Sequence, residues 1–395
     1  MKILVVCQHY YPEPFRITDI CEELVKRGHQ VSVITGTPNY PEGITYKGYE
    51  KGKKKYEVLN GVEIFRCYEI PRKKGILYRF LNYYSFAISS KRFAKKLKGD
   101  YDVVFANQLS PIMMVDGAVA YKKKHNKKLV MYVMDLWPAS LKAGGINEGS
   151  IIHKYYKKVS EKRYKSADVL AVTSKSFTTY LKENFNIGDD KMVYLPQYAE
   201  NIFTATDCKK EPDDFIDLMF AGNVGKAQNV ESIINSANVL KENSKIRFHI
   251  VGDGVSLENC KNLASEYKLN NVIFYGRRPV EEMPNFYKMA DAMLVTLTSD
   301  EFSKLTLPGK VQSYMASGKP IIAGLDGEGS EILKEENVGF VCEAGNDSDL
   351  ANAIDKFSKL SKEEISRLGE NSYNYCKENF NKEKYIENLE KLFTE

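Results

Sequence analysis

The chain reads as an α/β protein built from two successive doubly wound domains. Three observations predict this. Short apolar runs, several of them continuous as in a parallel sheet covered on both faces, alternate with helical stripes. The alternation pauses once, over the polar and irregular stretch 195–215, and then restarts. And 395 residues are more than one typical domain needs.

In the first half, strands are expected at 2–7, 30–35, 62–67, 102–106, 129–133 and 168–173. Helices fall between most of them. One spans 18–27, where Ile20, Cys21, Leu24 and Val25 form one apolar stripe. After the linker at 195–215, strands are expected at 216–221, 247–251, 272–275, 292–297 and 320–323. Two such domains in succession leave a ligand cleft at the carboxyl ends of their strands. The run 308–324 (PGKVQSYMASGKPIIAG) is the most informative stretch. Pro308 suits a first helical position and Gly318 the residue just past the end. A buried strand follows. Lys310 then falls in the first helical turn, the unfavourable end for a cation, unless a phosphate sits there to meet it. The other reading is a lysine on a solvated face. The tail from 382 is helical, with a break at 379–381 before it.

Composition narrows the class. Apolar residues at 43% and charged residues at 28% fit a globular enzyme and exclude a disordered chain. No apolar run approaches the roughly 18 residues of a membrane span, and the N-terminal run reads as a first strand, not a signal peptide. Seven scattered cysteines without a CxxC pair point away from disulfides and zinc and towards a reducing cytoplasm. Five histidines show no metal-binding spacing. A net charge of +5 does not mark a nucleic-acid binder. The charge is uneven, however. Residues 71–98 are rich in Lys and Arg, lack any acid, and interleave Tyr78, Phe80, Tyr83, Tyr84, Phe86 and Phe93. Such a helix either lies on an anionic membrane surface or packs its aromatics inward and leaves its lysines in water.

Several motifs, in order, carry a resemblance. They are KILVVCQHYYPEPFRITDICEELVKRGHQVSVITGTPNYPEG, MYVMDLWPASL, LMFAGNVGKAQNVESII, HIVGDG, NVIFYGRRPVEEMPNFYKMADAMLV and the 308–324 run. With them the chain resembles the GT-B glycosyltransferases of family 4, the glycosyl transferases group 1. The look-alikes include bacterial transferases of O-antigen, capsule and exopolysaccharide assembly, among them the fucosamine type. The resemblance implies two Rossmann-like domains. Residues 1–197 would bind the acceptor and 213–381 the nucleotide-sugar donor, with a final helix at 382–395 crossing back onto the first. It implies retaining transfer of a hexosyl or N-acetylaminosugar group, from a UDP-sugar in preference to a GDP-sugar. The acceptor would be a polyprenyl-diphosphate-linked saccharide at the inner face of the plasma membrane. No metal and no cofactor are expected.

A transferase without a metal neutralises its leaving diphosphate with amides, helix ends and cations. The donor candidates are Gly222, Asn223, Gly225 and Lys226 after one strand, Gly252 and Gly254 after the next, and Arg277 beyond the third. Lys310, Gln312 and Ser313 on the 308–318 helix and Glu331 complete the set. Each glycine is also readable as a plain turn, Asp253 as a helix cap, and Glu331 as an acid at a helix N-terminus. Many relatives place Arg and Lys where this chain has Asn223 and Gln228. Their two donor glutamates fall at Leu305 and Ser313, neither acidic. Asp300 or Glu301 is a possible replacement for the first, and Gln312 or Ser313 for the second. The acceptor candidates are Phe15, Arg16, Asn39 and Trp137. Arg16 reaches either a phosphate or the acids Glu13 and Asp19. Trp137 stacks on ligand or fills the core. Asp135, at a strand end, is the catalytic candidate: it takes the acceptor proton, stabilises charge on the sugar ring, or orients the acceptor while the leaving phosphate takes the proton. A helix cap is the plain alternative. The missing glutamates keep open a second reading, a catalytically silent paralogue that serves as a membrane- or partner-binding subunit.

Overall fold

The computed structural model describes residues 1–395 except 74, 204, 206, 207, 209 and 212. It divides into two compact units. One comprises Met1–Leu195 together with Ile386–Glu395, the other Pro196–Tyr385.

The first unit holds an eight-stranded sheet: β1 (Lys2–Val6), β2 (Gln30–Thr35), β3 (Tyr56–Leu59), β4 (Val62–Arg66), β5 (Val103–Gln108), β6 (Lys128–Val133), β7 (Val169–Val172) and β8 (Met192–Tyr194), in the order β3-β4-β2-β1-β5-β6-β7-β8. Every pairing is parallel except β3 with β4. Central strands are largely apolar and almost fully buried, as a sheet covered on both faces requires. β1 pairs with β2 on one side and β5 on the other, so the order reverses there. That switch point is where doubly wound sheets bind ligands.

The second unit holds β9 (Ile216–Ala221), β10 (Ile246–Val251), β11 (Val272–Gly276), β12 (Ala292–Thr296), β13 (Ile321–Gly324) and β14 (Gly339–Cys342), all parallel, in the order β11-β10-β9-β12-β13-β14. Here the switch point is β9, between β10 and β12.

Three strands go beyond the sequence reading: β3, β8 and β14. All are short edge strands at least partly open to solvent, so their apolar signal is weak. β3 and β4 are joined by Asn60-Gly61 at φ +49° and +80°, the positive pair that a tight hairpin turn demands.

The stretch read as a linker is no free connector. Among its described residues, Ala199 N donates to Phe380 O at 3.0 Å, Phe203 stacks on Tyr287 at 4.7 Å, and Cys208 is fully buried. Ala199, Phe203 and Cys208 join the core of the second unit, while Glu200 meets Ser313 and Lys210 pairs with Asp213, Asp217 and Asp291. The last helix, Lys382–Thr394, begins in the second unit and ends in the first. Glu390 accepts from Arg27 at 3.1 Å and from His29 at 2.8 Å, and Phe393 packs edge-on against Phe105.

Candidate active site

In the second unit the donor candidates gather at the carboxyl end of the sheet. Gly222 follows β9, Gly252 follows β10, and Gly276 ends β11. Gly222 N donates to Val251 O and Gly252 N to Gly276 O, each at 2.9 Å. A Cβ on Gly252 would lie 1.8 Å from Gly222 O, and one on Gly254 would lie 2.3 Å from Val224 O. These glycines let two loops touch backbone to backbone.

The helix Gly309–Ala316 is set against that corner by Tyr314. Its buried hydroxyl accepts from Ala221 N at 2.8 Å and donates to Ala221 O at 2.9 Å. Pro308 caps the helix instead of opening it, with ψ 128°, because its ring suits the extended residue before the first turn. Gly318 stands just past the end at φ +65°, as the sequence predicts.

Lys310 is the outstanding group. The residue as a whole keeps partial exposure, but its Nζ is enclosed and has no hydrogen-bond partner. It lies 3.7 Å from the centroid of the Phe220 ring and would be 3.2 Å from a Cβ on Gly222. Burial alone pushes its pKa down to about 7. An amine held dry and unpaired at a helix N-terminus, beside a strand-end glycine, is set to take a proton and an anion together.

The other donor candidates divide. Gly222, Asn223 and Lys226 are exposed and Gly225 is buried. Asn223 Nδ2 donates to Gln228 Oε1 at 2.9 Å, so the two residues that replace the relatives' Arg and Lys bind each other. Arg277 is exposed beyond β11. Glu331 is exposed in the first turn of the helix Glu328–Glu335. Gln312 is a correction: it is 1% exposed, and its amide, turned to donate, lies 2.8 Å from Gly309 O and 3.0 Å from Pro308 O. It ties down its own helix start because its helical face points into the core. Ser313 is 6% exposed, and its hydroxyl donates to Glu200 Oε2 at 2.6 Å. Asp300 accepts from Ser303 N, Ser303 Oγ and Thr298 Oγ1 at 2.6–3.0 Å, which commits it to its own turn. Glu301 is exposed and pairs with Lys304. Asp253 does not cap the next helix; it accepts from Gly254 N at 2.7 Å, and the helix Leu257–Glu266 starts behind Ser256.

In the first unit, Asp135 lies two residues past β6. Ser110, beyond β5, donates its hydroxyl to Asp135 Oδ2. Trp137 Nε1 donates to Ser110 Oγ at 2.6 Å, which fixes that hydroxyl. Burial raises Asp135 to about 6, against the lowering pull of Ser110, Ser140 and the Leu136 amide. The following 3-10 turn Ala139–Gly144 is capped by Pro138, so Asp135 is not a helix cap. A carboxyl that is ionised only above pH 6 is suited to accept a proton near neutrality.

Two acceptor candidates need correction. Trp137 is 2% exposed, edge-on to Tyr156 at 5.3 Å and Tyr83 at 6.2 Å, so it fills the core and steadies Ser110. Asn39 is 1% exposed; its Oδ1 accepts from Arg72 N and its Nδ2 donates to Glu69 Oε1. Its side chain is spent joining loops. Phe15 stacks on His9 at 4.7 Å. Arg16 is the residue before the helix Ile17–Lys26, and its carbonyl accepts from Ile20 N.

Sequence reasoning missed a buried polar group in this unit. His9 Nδ1 and Glu13 Oε2 are 2.9 Å apart, and Glu13 Oε1 accepts from the Asn39 and Tyr40 amides at 2.7 and 2.6 Å. Glu69 accepts from Gln8 Nε2 at 2.9 Å, and burial raises its pKa to about 7. Gly36 is needed beside it, since a Cβ there would fall 1.7 Å from Glu69 Oε2. His9 and Glu13 are four residues apart in one loop, but no spacing links either to Glu69, which follows β4.

Among the described residues, no group of three or more His, Cys, Asp or Glu side chains is placed to hold a metal ion, and no helix is long and apolar enough to cross a membrane.

Comparison with known proteins agrees with this layout. Residues 16–197 match glycosyltransferase family 4, and residues 204–375 match the glycosyl transferases group 1. The chain is 28% identical to glycosyltransferase WbjE of Pseudomonas aeruginosa over 77% of each chain. It is 23% identical to WcaI of Escherichia coli K12, named as a colanic acid biosynthesis glycosyl transferase, over 80% of this chain and 82% of the relative. A crystal structure of HepE from Anabaena with UDP and glucose superposes with a TM-score of 0.70 at 15% identity, covering 100% of this chain and 99% of that one. Each half thus matches a glycosyltransferase family model, family 4 in the first and group 1 in the second, and together they make the chain a GT-B glycosyltransferase.

Proposed function

We propose that the protein is a retaining glycosyltransferase that needs no metal and builds a bacterial surface polysaccharide. It moves a sugar from a UDP-sugar to a polyprenyl-diphosphate-linked saccharide, and it works on the cytoplasmic face of the membrane. The observation that carries the donor half is the buried, unpaired amine of Lys310 at a helix start beside Gly222. A departing diphosphate gains one negative charge as the sugar–oxygen bond breaks, and a dry ammonium with nearby helix amides answers it in place of a metal ion. HepE, solved with UDP and glucose, supports the choice of nucleotide. The name of WcaI, with its colanic acid, supports the pathway.

In the first unit, Asp135 receives the acceptor hydroxyl. Its carboxylate, fixed by Ser110, orients that hydroxyl while the departing phosphate oxygen takes the proton, so the new bond forms on the face that the nucleotide leaves. The test is a panel of UDP- and GDP-sugars with a lipid-linked acceptor, run with and without EDTA. Transfer with retained configuration, unaffected by EDTA, is the expected result. Absence of both transfer and hydrolysis across the panel overturns it. The silent-paralogue reading draws on Leu305 and Ser313. It gains ground if calorimetry shows no UDP or GDP binding while liposome binding persists.

A further inference from the structure

We propose that two helices of the first unit form a single membrane-docking face, with a five-lysine groove at one end that takes anionic lipid headgroups. This rests on the reading that the protein works at a membrane, and it adds a partner surface that the sequence segment 71–98 alone does not contain. Lys74 of that segment lies outside the described residues.

The helix Ile76–Lys96 carries Leu77, Leu81, Tyr84, Ile88, Lys91 and Lys95 at alternating spacings of four and three, hence on one face. Leu77 is 65% exposed, Leu81 41% and Ile88 47%. The helix Ile151–Tyr164 repeats the design: Ile151, Tyr155, Lys158 and Lys162 share a face, with Ile151 88% exposed and Tyr155 55%. The two helices meet where the Tyr84 and Tyr156 hydroxyls lie 3.1 Å apart and Phe80 stacks on Tyr156. Lys91 and Lys95 of the one and Lys162 of the other line one groove, so their basic ends lie together.

At the basic end a groove of about 660 Å³ opens, lined by Lys91, Lys95, Lys123, Lys124 and Lys162. All five lysines are exposed. Acids do not balance them. The helix Ile76–Lys96 has none. The helix Asp116–His125 has only Asp116, which both Nε and Nη2 of Arg163 hold at 2.7 and 2.8 Å. The helix Ile151–Tyr164 has only Glu161, paired with Lys165 at 2.6 Å. Exposed Leu, Ile and Tyr side chains beside unneutralised lysines fit one occupant, a bilayer rich in anionic phospholipid. From Leu81 to Lys91 is about 15 Å of helix. The face can thus lay its apolar end among acyl chains and its groove over several phosphates.

The experiment is co-sedimentation of the full chain with phosphatidylcholine vesicles, with and without phosphatidylglycerol, and without any saccharide acceptor. Binding is expected to need phosphatidylglycerol and to weaken with salt. The combined Lys91→Glu, Lys95→Glu and Lys162→Glu variant is expected to lose at least about tenfold in partitioning. Ile151→Ser with Tyr155→Ser is expected to weaken binding while the groove stays intact. A control, Lys261→Glu with Lys268→Glu and Lys288→Glu in the second unit, changes net charge equally and is expected to bind like the parent. Wild-type binding by the groove variant, or equal loss in the control, overturns the proposal. UDP titration of the same variants keeps the two readings apart: loss of vesicle binding with UDP binding intact concerns docking alone.

Discussion

Replacing Lys310 by Met tests the donor site most directly, because the substitution keeps the stem and removes only the amine. In the unfolded chain that amine ionises with the ordinary lysine value of 10.5; in the fold it is held at about 7. The folded state therefore binds fewer protons between those values, and its stability rises with pH across that window. At pH 7.5 holding the enclosed amine neutral costs the fold on the order of 4 kcal/mol. Lys310→Met is thus expected to stabilise the free protein by roughly 4 kcal/mol, a rise in Tm on the order of 10 °C for a unit of this size. The same variant is expected to bind UDP at least tenfold more weakly, about 1.4 kcal/mol. In the parent, the amine must take up a proton to meet the diphosphate, so UDP affinity falls as pH rises above about 7. Calorimetry at pH 8 in two buffers of different ionisation enthalpy reads that uptake: close to one proton per UDP for the parent and none for the variant. A variant that melts below the parent and keeps its UDP-dependent shift in Tm refutes the reasoning. The amine would then be structural.

Two further substitutions probe the rest. Asp135→Asn is expected to lower kcat/KM at least tenfold, about 1.4 kcal/mol, and to flatten the parent's loss of kcat/KM as pH falls through about 6. Since burial raises this carboxyl, its ionised form is a cost to the fold above the unfolded value, and the variant should not melt lower at pH 7.5. Gly252→Ala places a Cβ 1.8 Å from Gly222 O at φ +144°. It is expected to cost about 2 kcal/mol or more in chemical denaturation and to weaken UDP binding. Gly309→Ala, with open space around its Cβ, is expected to leave stability unchanged.

The parallel strands were legible because burial on both faces writes continuous apolar runs into the sequence. The edges were not: β3 and β14 leave side chains in water, and β8 has three residues. The Asn60-Gly61 turn was a readable hairpin signal, obscured by the lysine run at 51–55. Lys310 was legible as a local anomaly, a cation at the wrong end of a helix, which the fold turns into an enclosed amine. Trp137 and Asn39 looked like ligand contacts because they follow strands in polar loops. Tertiary packing decides otherwise, since one donates to Ser110 and the other joins three segments. The His9–Glu13 pair and Glu69 escaped for the same reason. His9 and Glu13 share one loop at a spacing of four, which in a loop carries no periodic signal, while Glu69 meets Gln8 and Asn39 only because sheet order sets β1, β2 and β4 side by side. The carboxylate that reaches Ser313 comes from Glu200, more than a hundred residues earlier, and is equally invisible in sequence.

The last helix has a consequence for how the molecule is made. Ile386, Leu389 and Phe393 are buried, and Glu390 satisfies Arg27 and His29 of the first unit. A chain emerging from the ribosome completes residues 1–195 long before it supplies 386–395. The first unit therefore waits, with Phe105 lacking its partner ring, until the whole second unit has been synthesised. A fragment ending at 195 should be less stable and more prone to associate than the same residues in the full protein. A segment 386–395 added back by a linker should rescue it. The segment that closes the first unit is thus made only after the whole of the second.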